Sequence, residues 1–441
     1  MSANRFLSQR ARWAGGQPIS YLMQKALAHP ELISLAAGFV DQETLPVDPT
    51  RQALEALLTD PVHARAALQY GTTPGYFPLR EAVLRQLIEA DGKVAVEQNL
   101  TPDNVILTAG SNQMLHLLAD TLFDPGDVVL CAAPTYFVYL LLLQNLGVRS
   151  IGVESDEQGI IPGAVEEALR RIDAAGELAR VKAIYVVSYY DNPSCATLSL
   201  ERRPQIVELA KRWSRASKIH VIEDAAYREL RLDGADVPSL RAFDREGDTV
   251  AYTHTFSKSF SPGIRVGWGI LPKGLVEPVL SQKGSLDFGS PNFSQHLMAA
   301  VLKRGLFEQQ LGRLRDAYRT KRDAMVAAAD EHLRRIPGVH WRSPQGGLYV
   351  WLELPSEIEA GLNGKLFDTA IEEGVIYTPG EFCYPSEGVA TARNRIRLSY
   401  GVQTPERIRA GIAALGRAIE RVLSSAARKQ DSAVPVKQAA G

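Results

Sequence analysis

Thr255-Phe256-Ser257-Lys258-Ser259-Phe260-Ser261-Pro262-Gly263-Ile264-Arg265-Val266-Gly267 sets a lysine among small hydroxyl residues, with an arginine seven residues later, across a glycine. Neutral hydroxyl donors and a planar guanidinium fork suit a phosphate group. A lysine amine beside a bound phosphate ester, once desolvated, is a nucleophile able to condense with an aldehyde. Together these features suit pyridoxal phosphate, an aldehyde cofactor with a phosphate handle. The same residues also suit a polar strand-loop-strand with two surface cations, and the stretch alone does not decide between the two.

Working outward, β-rich runs flank the lysine segment: Thr249-Val-Ala-Tyr-Thr253 before it and Val266-Gly-Trp-Gly-Ile270 after it. Upstream, Val105-Ile-Leu-Thr108, Val128-Val-Leu-Cys-Ala132, Ala183-Ile-Tyr-Val-Val187 and Ile219-His-Val-Ile-Glu223 read as further strands. Helical spacing over residues 112–122 and 200–214 separates several of them, and Asp124-Pro-Gly-Asp127 reads as a turn. Strand-helix alternation predicts an α/β domain with a mostly parallel sheet. Downstream, residues 295–333 read as a long helical stretch with a break near Gly305. A β-run at residues 347–354, a helix after Asn363, a strand at Arg395-Ile-Arg-Leu-Ser399 and a final helix over 405–423 follow. The expected organisation is an N-terminal segment, 1–60, packing with the small domain or a partner subunit. A large domain, 61–300, a small α+β domain, 301–423, and a disordered tail, 424–441, complete it.

The 441-residue length exceeds one typical domain, in keeping with two lobes. Hydrophobic content of 45% and charged content of 22% are those of a soluble globular chain. A net charge of −1 gives no electrostatic reason to expect nucleic acid or an acidic membrane as partner. The richest apolar run, residues 136–146, is too short to span a bilayer. Residues 1–16 are polar and arginine-bearing, without the apolar core of a secretory signal. Cys131, Cys195 and Cys383 are far apart and form neither a disulfide framework nor a metal-ligand spacing. The histidines are scattered, so no metal site is expected, and a reducing cytoplasm is the expected compartment.

In parallel α/β sheets, ligands bind at the carboxyl ends of strands, and the remaining polar signals fall there. Gly110-Ser111-Asn112-Gln113 follows one strand and opens a helix, whose N–H groups favour phosphate, although Ser111 also reads as an ordinary N-cap. Pro134-Thr135-Tyr136 follows the next strand and offers an aromatic face. Asn192-Pro193 follows the third and alone reads as a plain turn. Asp224 and Tyr227 follow the fourth. A buried carboxylate needs a partner, either a protonated pyridine nitrogen or a structural cation.

This ordered set resembles the class I/II aminotransferases of the fold-type-I pyridoxal-phosphate enzymes. The similarity is nearest to the kynurenine/2-aminoadipate and aromatic or branched-chain branch. It runs from about Ile33 to Leu423 through Ser34-Leu-Ala-Ala-Gly38, Tyr70-Gly71, Leu79-Arg80, Gly110-Ser-Asn-Gln113, Pro134-Thr-Tyr136, Asn192-Pro193, Asp224-Ala-Ala-Tyr227, Thr255-Phe-Ser-Lys258, Arg265 and Asn394-Arg-Ile-Arg-Leu-Ser399. The resemblance implies a large domain whose mostly parallel seven-stranded sheet is sandwiched by helices, plus a smaller α+β domain. It implies Lys258 as the lysine that carries the cofactor as an aldimine and then moves the proton. Asp224 would pair with the pyridinium; Asn192 and Tyr227 would bond the phenolic oxygen; Tyr136 would stack on the ring. Ser111, Asn112, Thr255, Ser257 and Arg265 would cradle the phosphate. Tyr70 would reach the phosphate of a neighbouring subunit, which implies a homodimer with shared active sites. Arg397 would clamp the substrate carboxylate, helped by Asn192, with Gly38 a backbone position near the substrate. Arg393 and Arg395 would be solvated or paired with surface acids.

The implied reaction is ping-pong transfer of an amino group from an L-amino acid to a 2-oxo acid such as 2-oxoglutarate. The same cofactor residues serve β-lyases, decarboxylases, racemases and oxygen-dependent deaminases, so these stay open. A cofactor-binding transcription regulator is disfavoured, because only about thirty residues precede Ile33, too few for a winged helix. Two departures from the family pattern stand out: Ser194-Cys195 in place of Thr-Gly, where cysteine takes positive φ less easily than glycine, and Ala226 in place of Pro. No second cation for a dicarboxylate side chain is evident. Tyr21, Leu22, Phe39 and Tyr349 are expected to shape an apolar pocket for aromatic or longer aliphatic substrates, though core packing accounts for them as well.

Overall fold

Valine, isoleucine and leucine alternate between two buried faces in the central strands, which is why these runs read as continuously apolar. Ile106, Val129, Ala183, Ile222 and Ala251 pack beneath helices Ser111–Leu122, Phe137–Asn145 and Lys273–Asp287. Val128, Leu130, Ile184, Val186, Val221 and Val250 face the other way, against Pro162–Ala174 and Arg202–Trp213. Each such valine, leucine or isoleucine contributes about 1.5–3 kcal/mol on burial, so a sheet covered on both faces is a stiff platform. The structure is a computed structural model that describes residues 6–16, 21, 22, 24, 25, 28, 29, 31–36, 38–92 and 100–432, with side chains to 425.

Across the main sheet the long strands run in the order Arg149–Asp156, Val128–Ala133, Val181–Val187, His220–Asp224, Val250–Thr255, Gly267–Ile270 and Val105–Thr108. Neighbours are parallel from Arg149–Asp156 to Val250–Thr255. Gly267–Ile270 is antiparallel to both strands beside it. Among the described residues the sheet counts nine strands rather than the expected seven. The additions, Gly159–Ile160 and Glu387–Gly388, have two residues each and no periodicity to read; both pair with the edge strand Arg149–Asp156. That edge strand was itself not legible, because Arg149, Ser150 and Glu154 interrupt its apolar pattern.

A second, antiparallel sheet has four strands in the order His340–Trp341, Tyr349–Glu353, Arg395–Ser399 and Thr378–Pro379. The helical stretch that leads to it breaks where expected, into Asn292–Lys303 and Leu306–His332, with Gly305 at φ 66 between them. The last helix, Pro405–Ser432, runs beyond the expected end at residue 423. Ala426, Arg428, Lys429 and Gln430 are good helix formers, and no proline or glycine intervenes before Pro435. Residues 433–441 of the expected tail, like residues 1–5, lie outside the described residues. Among the described residues, no helix is long and apolar enough to cross a membrane.

Candidate active site

The carboxyl ends of the central strands converge on two adjoining cavities of about 180 and 220 Å³. Tyr136, Asn192, Tyr227 and Lys258 line both. Ser111, Asn112, Asp224, Thr255, Ser257 and Arg265 line the first, and Gly38 and Arg397 the second. Every residue expected from the sequence to hold the cofactor or the substrate carboxylate is therefore here except Tyr70.

Lys258 lies on the short helix Phe256–Ser259, immediately after the strand Val250–Thr255. Its Nζ donates to the Gly38 carbonyl at 2.9 Å. Burial, then the positive charges of Arg397 and Arg265, lower its pKa to about 8. An amine so poised has a substantial neutral, nucleophilic fraction near neutrality. Asp224 ends the strand His220–Asp224 and is 4% exposed. The Ala226 N–H donates to its Oδ1 at 3.1 Å and the Tyr185 hydroxyl to its Oδ2 at 3.1 Å. No basic side chain among the described residues forms an ion pair with it, and burial raises its pKa.

At the other end of the first cavity, helix Ser111–Leu122 begins without a side-chain cap. Ser111 is its first residue rather than its N-cap; that position is Gly110, at φ 90. The main chain is pressed close here. A Cβ on Gly110 would stand 2.6 Å from Arg265 Nη2, and one on Gly267 would stand 2.6 Å from Ser111 N. Only glycine permits that approach. Arg265, itself left-handed at φ 51, donates to the carbonyls of Pro262 (3.0 Å) and Ala109 (3.0 Å) and has no acidic partner among the described residues. The Thr255 and Ser257 hydroxyls lie 2.9 Å apart beside it. Free helix N–H groups, two hydroxyls and an unneutralised guanidinium make an anion cradle.

Arg397 comes from the second sheet and is 1% exposed. It donates to Asn192 Oδ1 (2.8 Å), the Ala36 carbonyl (2.8 Å) and Thr378 Oγ1 (3.2 Å), all neutral. Its Nε has no hydrogen-bond partner among the described residues. A buried guanidinium with no carboxylate is costly unless a ligand supplies one. Arg393 and Arg395 instead pair with Glu359 and Glu353, as expected.

Phe39 and Tyr349 line the second cavity, whereas Leu22 packs into the hydrophobic core and Tyr21 is exposed, so those two do not shape it. Cys195 adopts φ 54, so the loop keeps a left-handed residue without glycine. Tyr70 is 83% exposed, with its ring edge-on to Phe288 at 5.8 Å, away from the cavities of its own chain. Tyr185, Thr378, Phe137 and Val138 belong to the site but were not singled out from the sequence. Tyr185 carried one usable signal, as the hydroxyl within the apolar run 181–187.

These residues fit pyridoxal phosphate. The cradle matches its phosphate, the cation-free Asp224 matches a protonated ring nitrogen, and Lys258 matches its aldehyde.

The chain matches the family model described as "Aminotransferase class I and II" over residues 30–415. It is 31% identical over 416 residues to the aromatic-amino-acid aminotransferase 1 of Thermococcus litoralis, covering 94% of each chain. It is 32% identical to the 2-aminoadipate transaminase of Thermus thermophilus, over 91% of this chain and 93% of that one. A crystal structure of Pyrococcus horikoshii kynurenine aminotransferase superposes with a TM-score of 0.87 at 31% identity, covering 96% of this chain and 98% of the other. The chain belongs to the class I and II aminotransferases. It is a pyridoxal-phosphate-dependent aminotransferase.

Proposed function

We propose that this enzyme moves the amino group of an L-amino acid with an aromatic or long apolar side chain to 2-oxoglutarate or a similar 2-oxo acid. The observation that carries the proposal is the second cavity. Arg397 and Lys258 are its only cations among the described residues, and Phe39, Tyr136, Phe137, Val138 and Tyr349 supply most of the remaining wall. One cation clamps the α-carboxylate and the other faces the reacting carbon, leaving aromatic surface for the side chain. The aromatic-amino-acid and kynurenine aminotransferases among its relatives agree with this.

Bound pyridoxal phosphate supplies an aldehyde for the substrate amine and a ring that takes up the electrons left at the α-carbon. Arg397 holds the carboxylate through its planar fork, oriented by Asn192 and Thr378. With Asn192 Oδ1 engaged by Arg397, the amide Nδ2 is left to donate to the phenolic oxygen, as does Tyr227. Lys258 carries the proton from the α-carbon, its lowered pKa making it a base at neutral pH. Asp224 would hold the ring nitrogen protonated, and Tyr136, which lines the same cavity, would stack on the ring. Ser111, Asn112, Thr255, Ser257 and Arg265 hold the phosphate.

The division into a 61–300 cofactor domain and a 301–423 domain that brings Arg397 belongs to this proposal, as does a homodimer. Exposed Tyr70, Phe288, Leu68 and Val62 support the dimer, with Tyr70 reaching the partner subunit's phosphate. The three free thiols support a cytoplasmic setting.

The test is an absorbance spectrum of the purified protein before and after single L-amino acids. Bleaching of the visible band by aromatic amino acids, restored by 2-oxoglutarate, is expected. Bleaching by aspartate or glutamate alone would sink the apolar assignment. A band that changes without forming the pyridoxamine cofactor would sink transamination.

A further inference from the structure

Tyr349 touches both halves of the site. It is 1% exposed and stands on the strand Tyr349–Glu353, in register with Ser399 and therefore diagonal to Arg397 on the same sheet face. Aromatic and long side chains bridge such a diagonal. Its ring centroid lies 4.3 Å from Arg397 Cζ, within cation–π range. Its hydroxyl lies 3.1 Å from the Tyr227 hydroxyl. The main chain makes room for that hydroxyl: a Cβ on Gly38 would stand 2.6 Å from Tyr349 Oη. A phenylalanine would fill the ring's place without demanding that space.

We propose that Tyr349 is a positioning residue with two separable parts, its hydroxyl setting Tyr227 as a hydrogen-bond donor to the cofactor and its ring holding the Arg397 clamp. This rests on the reading that Tyr227 faces the phenolic oxygen. A phenol has one proton to give. If Tyr227 donates to the cofactor oxygen, the 3.1 Å contact has one direction, Tyr349 to Tyr227. Burial keeps both phenols protonated. A donor that itself accepts a hydrogen bond is a stronger donor. More charge is then drawn from the phenolic oxygen, and the neighbouring cofactor nitrogen holds its proton less firmly. At the other edge, the ring keeps Arg397 flat and excludes water from a guanidinium that has no acidic neighbour among the described residues.

The experiment uses the holoenzyme. The pH midpoint of the bound cofactor's visible absorbance is titrated for wild type, Tyr349→Phe, Tyr227→Phe and the double variant, alongside KM and kcat. Tyr349→Phe is expected to raise the midpoint by roughly half a pH unit and to change KM less than Tyr349→Met does. Tyr227→Phe is expected to raise it at least as far, with no further effect in the double variant. Tyr349→Met, which loses the ring, is expected to raise KM for the amino acid roughly tenfold. A midpoint that moves in Tyr227→Phe but not in Tyr349→Phe overturns the hydroxyl relay alone. A midpoint that stays put in both overturns the placement of Tyr227, and the relay with it. An unchanged KM in a folded Tyr349→Met protein overturns the part given to the ring. Should that variant not fold, the Tyr349→Phe titration still decides the relay.

Discussion

Arg397 Nη1 donates to Asn192 Oδ1 at 2.8 Å, across a sequence separation of 205 residues. Through this bond the second sheet reaches the loop that follows a strand of the first. Among the described residues the guanidinium is held by neutral groups alone, which keeps its charge available to a ligand.

Arg397→Lys replaces a planar fork by a point charge and leaves Asn192 Oδ1 and the Ala36 carbonyl without their donors. We expect KM for the amino acid to rise about 100-fold, roughly 2.7 kcal/mol, with a smaller change in kcat. Steady-state kinetics with a single donor checks this. A loss confined to kcat contradicts the clamp.

The Lys258 pKa of about 8 makes the cofactor-free protein pH-sensitive. Its amine is neutral above about pH 8, so reconstitution with pyridoxal phosphate should accelerate as pH rises to 8 and then level off. The linkage has the same sign. The folded pKa lies below the ordinary lysine value of 10.5, so between those values the unfolded chain binds more protons than the folded one. This group therefore makes the cofactor-free protein more stable as pH rises from about 8 to 10.5. Stopped-flow reconstitution and denaturant melts across that window test both statements. Lys258→Ala should abolish the pH dependence of reconstitution, change the stability slope by this group's share, and lower turnover by about 10⁴-fold.

Gly110→Ala places a methyl 2.6 Å from Arg265 Nη2 at φ 90. Cofactor affinity should fall at least about tenfold, because the cradle must distort. Gly163→Ala is the control. Nothing lies within 4 Å of its added methyl, so affinity should not change and stability should rise by about 0.5 kcal/mol. Titration of apoprotein with cofactor separates the two.

Tyr70→Phe removes only a hydroxyl from a residue that is 83% exposed in the single chain. If Tyr70 serves the partner's phosphate, cofactor affinity drops about tenfold while the mass in sedimentation stays dimeric. A wild-type affinity would remove Tyr70 from the site.

Lys258, Asp224 and Asn192 were legible because each ends or follows a strand whose apolar run is buried on both faces, and such runs survive as pattern. The strand Arg149–Asp156 was not, since an edge strand alternates with polar residues. Tyr185 hid in plain view as one more β-forming aromatic; only the sheet register, which pairs Val187 with Asp224, brings its hydroxyl to that carboxylate. Thr378 carried no signal at all, because its role is to meet Arg397 from the next strand.

Local chemistry was thus written in the chain itself: strand and helix periods, the lysine among hydroxyls, and the ordered polar residues after successive strands. These depend on neighbours in sequence. The tertiary structure alone decided which groups are left without partners. Among the described residues Asp224 forms no ion pair with a lysine or arginine and Arg397 none with a carboxylate, because two sheets bury them against neutral hydrogen-bonding groups. It also set Tyr349 between Tyr227 and Arg397, a contact made by three segments far apart in the chain. Burial and unmet charge are properties of the packed whole, and those properties turn a list of residues into a site.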